Sequence, residues 1–69
     1  MRIDSSKVAI AIKNYMAENN LTDQKFIEFS KIAEITFYNI MRKQKIRFLT
    51  AVKVCKAIGI ENIAQFLEA

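Results

Sequence analysis

Proline and histidine are absent from this 69-residue chain, and Gly59 and Cys55 are the only residues of their kinds. Each shortage closes off a class of structure or chemistry. A single glycine leaves few residues suited to the φ > 0 turns of tight hairpins, and without proline nothing interrupts a helix. The chain therefore points to an all-α fold. One cysteine cannot form an internal disulfide. With no histidine, neither a Cys/His zinc site nor a Ser-His or Cys-His nucleophile pair can be assembled. No metal site and no cofactor is expected. Cys55 lies between Val54 and Lys56 in a helical pattern, with no activating group near it in sequence. It is expected as a small buried apolar side chain. No segment is long or apolar enough to cross a bilayer, and Val8–Ile12 reads as a short piece of core helix. The N-terminus lacks the layout of a signal peptide, so a reducing cytoplasm is the expected compartment.

What is present is apolar mass. Hydrophobic residues make up 52% of the sequence, five of them Phe. The length fits one domain over residues 1–69, and a domain of this size buries only about 60% of the surface its unfolded chain exposes. A dense core is therefore required, and the composition supplies one. Charge is less evenly spread. Arg42, Lys43, Lys45, Arg47, Lys53 and Lys56 fall in a stretch with no acidic residue, whereas the rest of the chain carries more acid than base. A local cationic cluster on a near-neutral body suggests an edge that contacts phosphate.

Asp4, Ser5 and Ser6 offer N-caps for a helix over Lys7 to about Glu18, with Val8, Ile12 and Tyr15 on one face. Asn19-Asn20 is a plausible stop. Thr22 can cap a second helix from Asp23 to about Phe29, and Asp23 suits its positive end. Ser30, Lys31 and Ile32 form a short turn. A third helix runs from about Ala33 to Met41 or Arg42, with Phe37 and Ile40 inward. Arg42 to Arg47 is a basic loop. Phe48 to Ala57 makes a fourth helix, with Phe48, Val52, Cys55 and Ile58 spaced for burial and Gly59 as its cap. Glu61 to Leu67 is expected as a fifth, closing the core with Ile63, Phe66 and Leu67, where a dimer contact is also plausible.

The segment from Leu21 to Gln44 thus holds a short helix, a tight turn and a second helix that can enter a major groove. Here the sequence resembles the lambda-repressor/Cro-type (XRE-like) helix-turn-helix family. The matching residues are Leu21-Thr22, Phe26-Ile27, Ile32, Thr36-Phe37, Ile40 and Arg47-Phe48-Leu49. The match continues through Lys53 to Ile60, then Ile63 and Phe66-Leu67. The resemblance spans about Lys7 to Leu67 and implies a five-helix domain with the helix-turn-helix at about 22–42. It also implies a phage or mobile-element regulator acting in a bacterial host's cytoplasm. By position, Glu34, Ile35, Thr36, Tyr38 and Asn39 would face the bases, with Ala33 beside them. Thr22, Asp23 and Gln24 at the start of the second helix would meet phosphate, as would Arg42, Lys43, Lys45 and Arg47 of the loop. Asn39 could bind adenine in bidentate fashion, and Ile35 or Thr36 could touch a thymine methyl. Lys31 and Lys43 stand where the family often has glycine, at a cost of at most about 1–2 kcal/mol each.

Two functions follow from this reading. One is a Cro- or repressor-type transcription regulator that binds double-stranded operator DNA, as a homodimer, through the third helix and the basic loop. The other starts from the reading face itself, Ala33 to Asn39, which contains no Arg, Lys or Gln. Ile35, Tyr38 and Met41 would form an apolar face for a partner repressor protein, making the chain an antirepressor within a genetic switch. Ile10, Met16 and Leu49 add to the apolar surplus. Enzymatic action is not expected, since Asp23, Glu28 and Glu34 belong on solvent-facing positions with no nucleophile, metal set or phosphate-cradling loop beside them. No small-molecule substrate is expected either.

Overall fold

In the computed structural model, residues 2–68 are described, and four α-helices pack around one apolar core. They are α1 (Ser5–Asn19), α2 (Asp23–Ser30), α3 (Glu34–Met41) and α4 (Phe48–Ile58), followed by a single 3₁₀ turn, Ile63–Phe66. Helices α1 and α2 start with side-chain caps, whereas α3 and α4 start at Ala33 and Arg47 without one. The Asp4 carboxylate accepts from the Ser6 N–H at 2.9 Å and opens α1, and Thr22 Oγ1 accepts from the Lys25 N–H at 3.2 Å and opens α2. These bonds satisfy donors that the helix itself leaves orphaned. A left-handed residue turns the chain at the end of every helix: Asn20 (φ 53°), Lys31 (φ 60°), Lys43 (φ 61°) and Gly59 (φ 78°). Three of these are not glycine. The fold therefore obtains its turns from residues for which that conformation is unfavourable.

The core is drawn from every element. Val8, Ala9 and Ile12 of α1 meet Phe26 of α2, Ile32, Phe37 and Ile40 at α3, Ala51, Val54 and Cys55 of α4, and Phe66. Helix α1 packs against α3, α4 and the 3₁₀ turn, while α2 leans on α4. Aromatic rings chain through it: Phe26 lies 5.9 Å from Phe37 and 6.2 Å from Tyr15, and Phe37 meets Tyr38 edge-on at 5.2 Å. Such pairs add about 0.5–1.5 kcal/mol each beyond the burial itself. The only buried polar residue described is Ser30, whose hydroxyl donates to the Phe26 carbonyl at 2.8 Å. Burial raises the pKa of the Cys55 thiol, consistent with a packed rather than reactive side chain. No helix among the described residues is long and apolar enough to cross a membrane.

Four differences from the sequence expectation are informative. The expected fifth helix is only the 3₁₀ turn, capped by Asn62 accepting from the Ala64 N–H at 2.9 Å. Its neighbours are held in extended form instead. Ile3 and Leu67 form an antiparallel bridge, and the Asp4 N–H donates to the Phe66 carbonyl at 2.6 Å. The segments around Ile3 and Leu67 thus clasp each other, an arrangement with no local signal. Phe66 is enclosed by this closure, and only Ile63 and Leu67, both half-buried, stay accessible to a partner there. Phe48, expected inside, is 46% exposed. The buried stripe of α4 runs through Ala51, Val54 and Cys55, so its first turn overhangs the core and sets Phe48 beside Arg2, Ile3 and Ile46. Met16, expected among the surplus apolar residues, packs partly against the core.

Candidate nucleic-acid interface

Helix α3 buries Phe37 and Ile40, and the 100° rotation per residue leaves two exposed flanks. On one flank Thr36 and Asn39, three residues apart, line a shallow hollow together with Lys45, Ile46, Arg47 and Thr50. On the other, Glu34, Ile35, Tyr38 and Arg42 surround a second. The sequence-derived site is therefore split. Thr36, Asn39, Lys45 and Arg47 come together, while Arg42 joins Glu34, Ile35 and Tyr38. Thr22, Gln24 and Lys43 line neither hollow, although all three are exposed.

The path that returns Lys45 and Arg47 to Asn39 is built locally. After Arg42 the backbone turns left-handed at Lys43, whose N–H donates to the Ile40 carbonyl at 2.9 Å. The Gln44 N–H then donates to the Asn39 carbonyl at 2.9 Å. This pair of bonds is the Schellman closure, which satisfies carbonyls that the end of α3 leaves orphaned. Arg47 then serves as the N-cap of α4 without a side-chain cap bond. The first N–H groups of α4, which have no intrahelical partner, therefore lack a capping acceptor as well and carry the positive end of its dipole.

Electrostatically the Asn39 hollow suits an anion. It combines two exposed cations, an uncapped helix start and the Thr50 hydroxyl, and no acidic residue lines it. Among the described side-chain hydrogen bonds none engages Asn39, Lys45 or Arg47, so their donors are free for a ligand. Phosphate oxygens fit the cations and helix start, and a base edge fits the amide of Asn39. Thr50 was missed by sequence reasoning. Its position three residues after Arg47, in the first turn of α4, is the signal that could have found it.

The apolar flank is smaller than expected. Ile35 is 70% exposed, but Tyr38 and Met41 are half-buried and pack partly against the core. Tyr38 leans edge-on against Phe37, which limits the ring area left for a partner. No group of three or more metal-ligating side chains occurs among the described residues. Compared with family models, curated proteins and solved structures, the chain matches none of them.

Proposed function

We propose that this chain is a small DNA-binding transcription regulator of the lambda-repressor/Cro type, with α2 and α3 as its helix-turn-helix. The observation that carries this reading is the hollow in which Asn39 and Thr36 of α3 stand beside Lys45 and Arg47. Base-reading and phosphate-binding chemistry lie side by side there, as they must if α3 occupies a major groove while the following loop follows the backbone. The three-residue link between α2 and α3 is the length such a motif uses. In this reading Asn39 contacts a base, Lys43, Lys45 and Arg47 bind phosphates, and Thr22 and Gln24 approach the backbone from the start of α2. Two copies would bind a pseudo-palindromic operator, one half-site each.

The test is a titration of DNA from the region around the chain's own gene, followed by anisotropy at several salt concentrations. Each phosphate neutralised contributes about −0.9 to the slope of log K against log salt. Three loop cations imply a slope of about −3 per protomer or steeper. Binding that is absent, or that ignores salt, refutes the reading.

One observation favours a second reading. Ile35, 70% exposed, stands at the outer surface of α3 between Glu34 and the half-buried Tyr38. An antirepressor would dock this flank on a partner repressor protein and alter that partner's DNA contacts. Ile35→Ala and Tyr38→Ala would then break a complex with the product of a neighbouring regulator gene. Retention of that complex by both variants would remove this reading.

A further inference from the structure

A third hollow lies away from α3, along the seam where α2 leans on α4. It has a volume of about 460 Å³ and is lined by Phe29, Ser30, Lys31, Lys53, Lys56 and Ala57. Its floor is apolar. Phe29 is 50% exposed, yet its ring is fixed in place, stacked on Tyr15 at 5.9 Å and tilted against Phe26 at 6.5 Å. Its rim is cationic, with three exposed lysines and no acidic residue among the lining side chains. Lys56 has an ordinary reason to be there, in the last turn of α4 where a cation complements the helix dipole. Lys31, at the C-terminal end of α2, shares that reason, whereas Lys53, in the middle of α4, does not. Lys31 moreover occupies the left-handed C-cap of α2, at φ 60°, where glycine would be free of strain. The chain keeps a lysine where its backbone disfavours one.

We propose that this hollow is a docking site for an acidic polypeptide segment that carries an apolar anchor. The anchor packs on the exposed edge of Phe29 and on Ala57, and flanking carboxylates meet Lys31, Lys53 and Lys56. Charge complementarity selects an acidic partner, and the apolar floor favours a polypeptide with an apolar anchor over duplex DNA. A DNA duplex would satisfy the lysines with its phosphates, but its bases are paired and stacked inside and leave nothing to cover Phe29. The site shares no residue with either α3 hollow, so it stands or falls independently of the DNA reading.

The experiment is a ¹⁵N–¹H correlation titration of the full chain. The probe is a short synthetic peptide of Asp, Glu and Ser around one central Phe. A control peptide replaces that Phe by Ser. Expected are saturable shifts of the Phe29, Lys31, Lys53, Lys56 and Ala57 amides, with at least about fivefold weaker binding of the control. The Lys53→Glu/Lys56→Glu variant should weaken the peptide by at least about tenfold, beyond the few-fold effect of a single exposed ion pair. Both substitutions are on exposed side chains, and an unchanged correlation map outside the hollow certifies the fold. Three results would each overturn the proposal. The first is equal binding of the two peptides, and the second is shifts centred on residues 43–47. The third is a duplex DNA or an anionic phosphatidylserine vesicle perturbing the same amides more tightly than the peptide does.

Discussion

Replacing Lys31 by glycine should stabilise this protein, even though it removes side-chain atoms and adds no contact. Lys31 closes α2 at φ 60°, with its N–H donating to the Ile27 carbonyl at 3.0 Å. The left-handed conformation costs a residue with a Cβ about 1–2 kcal/mol, because that carbon crowds the following carbonyl oxygen. Glycine escapes this crowding but loses more backbone freedom on folding, which gives back about 0.4–1 kcal/mol. The net gain is about 0.5–1 kcal/mol. Unfolding entropy of about 2.1 cal/mol/K per residue makes this a rise in Tm of about 3–7 °C for a domain of this length. Lys31→Ala is the control that matters, since it removes the same charge and the same long stem while keeping the Cβ. Thermal unfolding followed by circular dichroism should therefore rank glycine above both lysine and alanine. Equal melting of the glycine and alanine variants would refute the backbone argument. The same glycine variant should bind the acidic peptide more weakly, so stability and docking would move in opposite directions.

Four further outcomes are expected. Asn39→Ala should cost operator binding about 1–3 kcal/mol and relax preference at one base position, as measured by anisotropy on a panel of single-base variants. Lys45→Ala and Arg47→Ala should each weaken all sequences alike and reduce the salt slope by about one, which the same titrations at several salt concentrations would show. Ile12→Val, at a fully buried position of α1, should lower stability by about 0.5–1.5 kcal/mol in urea unfolding with an unchanged m-value. Burial raises the Cys55 thiol pKa, so the unfolded chain ionises first, and its stabilising contribution is full below the ordinary thiol pKa and is lost as pH climbs through the raised native value. Modification of Cys55 by an aromatic disulfide reagent should accordingly require opening of the fold and slow down as stability rises, and Cys55→Ala should flatten the alkaline fall in stability.

The helices were legible because their signals are local. Asp4, Thr22 and Gly59 act where their side chains or lack of one would place a helix end. Val8, Ile12, Phe26, Phe37 and Ile40 recur at helical spacing and are all buried. Lys31 and Lys43, both expected at helix ends, adopt the left-handed conformation. The loop cations were legible as a run of like charge. What spacing could not give was which flank of α3 each would join, because Arg42 and Arg47 lie on opposite sides of the turn at Lys43.

Sequence alone determined the helical class, the positions of four helices and the identity of most of the core, since capping, periodicity and the absence of proline operate within a few residues. Tertiary structure alone decided the rest. It made the last segment a 3₁₀ turn clasped to the N-terminal residues, left Phe48 outside and drew Tyr38 partly in. It also set Phe29 among Lys31, Lys53 and Lys56. Those outcomes depend on how far each helix overhangs its neighbours and on contacts between distant parts of the chain, which no local pattern encodes.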